Sequence, residues 1–196
     1  MIKLDVISDP ICPWCFIGKT QLDQALKANK SHPFQIEWHP FQLNPNMPII
    51  GMYRRDYLEH KFGNKIQAVE FYSTIEEKAL ELDLTINFSG IKRTPNTINA
   101  HRLIHWAGLE HKQQKMIDEL FNSYFCNAID IGDHDALCDI ACKVGMDRDI
   151  VARLLNGDAD IELIKERSAH SRKVGVTAVP TFIIANQNVV SGSQTS

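Results

Sequence analysis

Two cysteines separated by a proline and a tryptophan, Cys12-Pro13-Trp14-Cys15, have the residue types and spacing best suited to chemistry in this chain. They follow directly on an alternating apolar segment and open a one-sided apolar one. The spacing therefore predicts a dithiol at the N-terminus of a helix. There, unsatisfied backbone N–H groups and the positive end of the helix dipole favour a thiolate. Pro13 suits the first helical turn, where its missing N–H costs nothing. Cys15, three residues on, lies on the same helix face, within reach of Cys12. The chemistry implied is thiol–disulfide exchange. Cys12 attacks a disulfide, or accepts a thiolate when oxidised, and Cys15 resolves or forms the mixed disulfide. Blander readings compete with this one. A C-x-x-C can be half of a zinc site completed by Cys126, Cys138, Cys142 or a histidine, or simply a pair of inert core cysteines. The Pro-Trp framing at a strand-to-helix junction argues for the redox reading. A binding or chaperone module using the groove beside Trp14 is the non-enzymatic alternative.

The elements that must position this pair are legible in outline. Ile2, Leu4 and Val6 alternate with polar residues, predicting a strand that ends at Asp9-Pro10. A helical pattern through Ile17, Leu22, Ala25 and Leu26 fades near Asn29. Residues 34–38 alternate again as a second strand, and Pro40, Pro45 and Pro48 enforce a loop. From about Asp56 to Val174 the pattern becomes helix after helix. Ala100-Leu103-Ile104-Ala107, Ile117-Leu120-Phe121-Tyr124 and Leu137-Ile140-Ala141-Val144 each form an apolar stripe. Pro95, Gly108, Gly132 and Gly145 punctuate these helices, and Asp133 and Asp147 suit N-cap positions. After Gly175, Thr181-Phe182-Ile183-Ile184, a polar turn at Asn186-Gln187-Asn188 and Val189-Val190 predict a closing hairpin. The first and last segments need each other to make a sheet, so this is one α/β fold split by a helical insertion.

Composition narrows the class. The 196 residues are 44% hydrophobic and 23% charged, ordinary globular values. One domain with an insertion fits the length. A net charge of −3, from 21 basic and 24 acidic residues, argues against a bulk electrostatic grip on nucleic acid. The five cysteines are too few and too odd for a disulfide scaffold. Neither a signal-like apolar run nor a membrane-spanning stretch stands out. The expectation is a soluble cytoplasmic protein, where thiols stay reduced unless they are catalytic.

Other residues carry weaker signals. Val179-Pro180 is either an ordinary loop proline or a cis-proline, and base rates alone favour trans, since about 5–6% of X-Pro bonds are cis. Cys138 and Cys142, at i and i+4, would sit about 5–6 Å apart at Cβ, too far for an unstrained bridge. They are read as core or flank cysteines, and Cys126 as a small buried hydrophobe. His101 and Arg102 fit helix packing; alternatively Asn96 and the helix after it rim a substrate groove. The histidines lack metal-ligand spacing. Arg54-Arg55 and Lys112-Lys115 are read as solvated faces, and Trp106 and Phe121-Tyr124-Phe125 as core.

A series of segments then resembles one family. Asp9-Pro10-Ile11-Cys12-Pro13-Trp14-Cys15-Phe16-Ile17-Gly18-Lys19 is similar to the opening of the DsbA-like family, FrnE-like branch. Trp38-His39-Pro40-Phe41-Gln42-Leu43-Asn44-Pro45, Tyr57-Leu58-Glu59-His60-Lys61-Phe62-Gly63, Pro95 to Leu103, Gly175 to Phe182 and Val190-Ser191-Gly192-Ser193-Gln194 extend the resemblance over nearly the whole chain. It implies a thioredoxin-like sheet, residues 1–49 and 175–196, with a large inserted all-helical domain, residues 50–174. It implies Cys12 as nucleophile, Cys15 as resolving thiol and Pro180 as a cis-proline that presents Val179 to an extended substrate. Pro13, Trp14, Val179, Pro180, Asn96, Ser193 and Gln194 are the substrate-binding candidates. The branch is related to 2-hydroxychromene-2-carboxylate isomerases and kappa-class glutathione transferases. Those relatives carry serine near the position of Cys12, and Ser193-Gln194 falls where they contact the γ-glutamyl end of glutathione. The resemblance thus implies a protein thiol–disulfide oxidoreductase with no metal or organic cofactor. Its partners would be protein or small-molecule disulfides and thiols, with glutathione as a candidate co-substrate and a homodimer as a candidate assembly. A glutathione-dependent isomerase or transferase on a small aromatic substrate is the alternative. Family members normally continue with a further helix after Ser-Gly-x-Gln, so an end at Ser196 predicts that one sheet face is less covered. Because Trp14 is uncharged, the dithiol is expected to be less oxidising than the periplasmic relative.

Overall fold

The computed structural model describes residues 1–192; the candidate residues Ser193 and Gln194 lie outside them. A first strand, β1 (Ile2–Ser8), runs straight into helix α1 (Pro13–Ala28), and the chain returns as β2 (Phe34–Pro40), parallel to β1. The sheet is closed by β5 (Thr181–Ile184), antiparallel to β1, and β6 (Asn188–Ser191), in the order β2-β1-β5-β6. Ala185 and Asn186 both take positive φ, 53° and 58°, giving the tight turn that aligns β5 with β6.

The strand alternation predicted for β1 gives way to burial on both faces. Every residue from Leu4 to Ser8 is buried, including Asp5. This is the behaviour of a central strand with helices above and below. Asp5 is tolerated because Lys3 lies 2.9 Å and His39 2.5 Å from its carboxylate.

Between β2 and β5 the chain is helical. The helices are α2 (Arg54–Phe62), α3 (Lys65–Leu80), α4 (Ile98–Leu109), α5 (Gln113–Phe121), α6 (His134–Lys143), α7 (Arg148–Asn156) and α8 (Ile161–Lys173). A π-helical turn, Asn122–Cys126, extends α5. The Asp133 and Asp147 side chains accept hydrogen bonds from the backbone of Ala136 and Ile150, capping α6 and α7. Sequence reasoning missed a two-residue ladder, β3 (Met52–Tyr53) with β4 (Arg93–Thr94), that closes an excursion around α2 and α3. Pairs this short carry no periodicity to find.

Insertion and sheet share one core. The Phe16 ring stacks on Phe121 and Phe125 at 5.3 and 5.5 Å. Trp38, on the edge strand β2, exchanges backbone hydrogen bonds with the side-chain amide of Gln113 at 2.9 and 3.2 Å, so α5 satisfies part of an otherwise open edge. Among the described residues, no helix is long and apolar enough to cross a membrane.

Candidate active site

Cys12 occupies the residue before the first turn of α1, with Pro13 beginning the helix. Its N–H donates to the Asp9 carbonyl at 2.9 Å, and its own carbonyl accepts from Cys15 at 3.0 Å and Phe16 at 3.2 Å. Both cysteines are unbridged and buried. The Cys12 thiol donates to the Val179 carbonyl at 3.6 Å, and the Val179–Pro180 peptide is cis. This contact across 167 residues brings the two ends of the fold to one sulfur. Gly18 makes the approach feasible: a Cβ there would stand 2.8 Å from Pro180 Cγ.

Cys15 lies deeper. Burial pushes its thiol well above the usual cysteine range, and the hydrogen bond and charge of Cys12 push the same way. The Ser8 hydroxyl and Asp9 backbone amide oppose this more weakly. Cys15 is therefore held in its protonated form.

Asp9 holds the loop that carries Cys12. Its carboxylate accepts from Leu43 N at 2.7 Å and Ile11 N at 3.4 Å, joining the two loops at the end of the sheet. It is fully buried, and burial raises its pKa from 3.8 to about 7 against the pull of those hydrogen bonds and of Arg172. His101 Nε2 lies 3.7 Å away. Burial depresses His101 to about 3, so the pair is not an ion pair at neutral pH.

A pocket of about 240 Å³ opens over Cys12. Pro13, Trp14 and Val179 form its floor, and its roof comes from the insertion: Arg54, Tyr57, Lys61 and Tyr72. None of these four was singled out by chemistry in the sequence, although Tyr57 and Lys61 fall in a segment that carries the family resemblance. Arg54 corrects the solvated-face reading. Its guanidinium lies over the Tyr72 ring at 4.7 Å, whereas Arg55 is exposed and pairs with Glu59 at 3.1 Å. Asn96 does not line this pocket. Its amide instead accepts from Gln42 and Ile98 and donates to Met47, stapling the 42–47 loop to the start of α4. Arg102 is likewise internal, donating to the carbonyls of Ala159, Leu154 and Gly157 at 2.5–2.7 Å.

The other cysteines stand apart from the site. Cys138 is buried, Cys142 exposed, and the half-buried Cys126 thiol donates to the Thr85 carbonyl at 3.4 Å. The one group of potential metal ligands among the described residues is Asp5, Glu37 and His39, within 4.8 Å of one another. Lys3 lies 3.1 Å and Arg167 3.4 Å from Glu37, so this is an ion-pair network already neutralised by cations.

A redox-type Cys-Pro-Trp-Cys helix on a mixed four-stranded sheet, facing a cis-proline loop under a helical roof, defines the class. The chain belongs to the DsbA-like thioredoxin domain family, whose model matches residues 3–196. It is 28% identical over 194 residues to the uncharacterized protein YwbO of Bacillus subtilis, covering 98% of this chain and 90% of that one. The probable DsbA oxidoreductase SCO1869 of Streptomyces coelicolor shares the fold, with a TM-score of 0.89 and 23% identity over 100% of this chain and 85% of the other. So does the cytosolic disulfide reductase DsbM of Pseudomonas aeruginosa, solved with GSH, with a TM-score of 0.70 and 13% identity over 96% and 89%.

Proposed function

We propose that this protein is a thiol–disulfide oxidoreductase working through the Cys12–Cys15 dithiol. The observation that carries this reading is the asymmetry of the pair. Cys12 lines the pocket and contacts Val179, while Cys15 is sealed beneath it with its proton held. As a reductant, the Cys12 thiolate attacks one sulfur of a substrate disulfide. A Cys12–substrate S–S bond forms, the substrate S–S bond breaks, and the departing thiolate takes a proton. Cys15 then loses its proton and attacks Cys12 Sγ, releasing the second substrate thiol and leaving a Cys12–Cys15 disulfide. The substrate gains two electrons and the dithiol loses two. The reverse sequence oxidises a dithiol.

The exchange uses sulfur alone and calls for no metal or organic cofactor. Glutathione is the proposed co-substrate; the GSH-bound DsbM neighbour supports it. A cytoplasmic setting is proposed on the same neighbour's cytosolic assignment.

The test is Cys15→Ser, offered a protein disulfide such as insulin and, separately, glutathione disulfide. The expected result is a mixed disulfide trapped on Cys12, seen by mass and released by excess thiol, with turnover lost. Sustained turnover by Cys15→Ser would instead support a transferase using Cys12 alone. Undiminished activity in a Cys12→Ser, Cys15→Ser double variant would overturn the redox reading altogether.

A further inference from the structure

The roof of the Cys12 pocket carries two positive side chains and no negative one. Arg54 and Lys61 both line it, and no aspartate or glutamate does. Neither cation makes an ion pair among the described residues. Arg54 is half-buried, with its guanidinium 4.7 Å from the Tyr72 ring centroid and 5.5 Å from that of Phe88. Lys61 Nζ donates to the Tyr57 hydroxyl at 3.2 Å and lies 5.5 Å from the Tyr57 ring. Aromatic faces hold cations in place without neutralising them. The neighbouring Arg55 pairs with Glu59 of the same helix, whereas neither pocket cation forms a salt bridge with that helix's Asp56 or Glu59, and the pocket lining holds no acid that could pair with them.

Two uncompensated cations at the mouth of a concave site concentrate anions there. The floor of the same pocket is the Cys12 sulfur, so a disulfide that reaches this sulfur brings any anionic group beside its own sulfur into the same field.

We propose that the pocket selects disulfides carrying a carboxylate close to the reacting sulfur, with Arg54 and Lys61 as its anion-binding groups. The inference rests on the dithiol reading above and adds the substrate class to it. The chemistry is unchanged. The Cys12–S bond forms as the substrate S–S bond breaks, and the carboxylate-bearing thiolate leaves with a proton from solvent. Arg54 and Lys61 hold the carboxylate and transfer nothing. Glutathione disulfide fits this class by its carboxylates, as does a peptide disulfide beside an acidic residue.

A charge series of small disulfides separates the possibilities. The reduced protein is mixed with dithiodipropionate (anionic), bis(2-hydroxyethyl) disulfide (neutral) or cystamine (cationic). The rate of mixed-disulfide formation on Cys12 is divided by that of a free small thiol with the same reagent. The expected result is a corrected preference of about tenfold or more for the anionic over the cationic member. It should shrink as salt rises and the Debye length falls from about 30 Å toward 3 Å. In Arg54→Gln/Lys61→Gln the preference should fall to near unity, whereas Arg54→Lys/Lys61→Arg, which keeps both charges, should retain most of it. A melting curve on each variant establishes that it is folded. Reaction with all three reagents at corrected rates independent of charge, or an unchanged preference in the folded Gln variant, would overturn this inference while leaving the redox reading intact. No Cys12-dependent reaction with any of the three would overturn both.

Discussion

Arg102 and Arg54 belong to the same helical insertion, yet the region around each treats a buried or half-buried positive charge in the opposite way. Where α4 crosses the end of α7, Arg102 is 1% exposed and gives its guanidinium to the backbone carbonyls of Leu154, Gly157 and Ala159 and to Asn99. These carbonyls lie at the end of α7 and in the turn that follows it, where backbone acceptors outnumber intrahelical donors. Over Cys12, Arg54 has aromatic rings on its flanks and no acid beside it. The first arginine is saturated by the fold; the second is held in position and left available. A charge that matters to function is recognised here by partners that orient it without consuming it.

The largest effect should come from removing the saturated one. Arg102→Ala removes the charge-assisted hydrogen bonds to the Leu154, Gly157 and Ala159 carbonyls and to Asn99 and opens a cavity where the fully buried side chain stood. Each lost charge-assisted hydrogen bond costs about 1.5–3 kcal/mol, and partial relaxation brings the sum to about 3–5 kcal/mol. For a chain of this size that is a fall in Tm of about 6–20 °C. Thermal melting measures it, and the rate of Cys12 with a neutral disulfide, per folded molecule, should stay within about twofold. Arg54→Ala is expected to invert the pattern, costing less than about 1 kcal/mol of stability while lowering the charge preference to what Lys61 alone supports. If Arg54→Ala cost as much as Arg102→Ala, the distinction between saturated and available charge would be wrong.

Asp9 sharpens the contrast, because it is a buried titratable group beside the Cys12 loop whose partners do not fully compensate burial. Folding raises its pKa from 3.8 to about 7. Between those values the folded chain holds a proton that the unfolded chain has released. Stability that is intact below about pH 4 is therefore lost as pH rises toward 7, by up to about 1.4 kcal/mol per pH unit. Asp9→Asn has no proton to lose. Its one amide oxygen cannot replace both carboxylate contacts to Leu43 and Ile11, which adds a constant cost. The stability of the variant minus that of the wild type, from urea unfolding at several pH values, should climb across this window and level off above about pH 8. A flat difference would mean that Asp9 is ionised throughout, compensated as fully as Arg102.

The sequence was most legible where chemistry and local structure coincide. Cys12, Pro13 and Cys15 declare themselves within four residues because strand end, helix start and dithiol are adjacent in the chain, and β1, α1, β2 and the closing hairpin follow from periodicity. The roof of the pocket was not legible. Arg54 looks like its neighbour Arg55 in sequence, and only the fold of α2 over Cys12 separates a stacked cation from an exposed one. Asn96 errs the other way. It has a side chain suited to binding, but Gln42 and Ile98 fill its oxygen and its amide donates to Met47, away from the Cys12 pocket. His39 looked isolated by spacing, yet the parallel register of β1 and β2 sets it beside Asp5 and Glu37. Tertiary contacts decided each case, and spacing along the chain does not encode them.

The smallest predicted effect tests whether the floor of the site works by the same rule as its roof. Trp14 lines the pocket beside Cys12 and brings no charge to the sulfur, so what favours the reduced form must come from the helix N-terminus and the roof cations. Strong oxidants of this class owe their potential, about −120 mV, to stabilisation of the reduced form. The wild-type dithiol, titrated against glutathione, should therefore lie well below that value. Trp14→His places a titratable cation inside the Cys-x-x-Cys motif, two residues from Cys12. One added favourable charge interaction of about 1.4 kcal/mol raises the potential by about 30 mV. The rise should fade above the histidine's own titration range near pH 6.5, which separates an electrostatic effect from a change in packing. A rise of the same size at pH 8.5 would mean that lost tryptophan packing, and not charge, sets the potential.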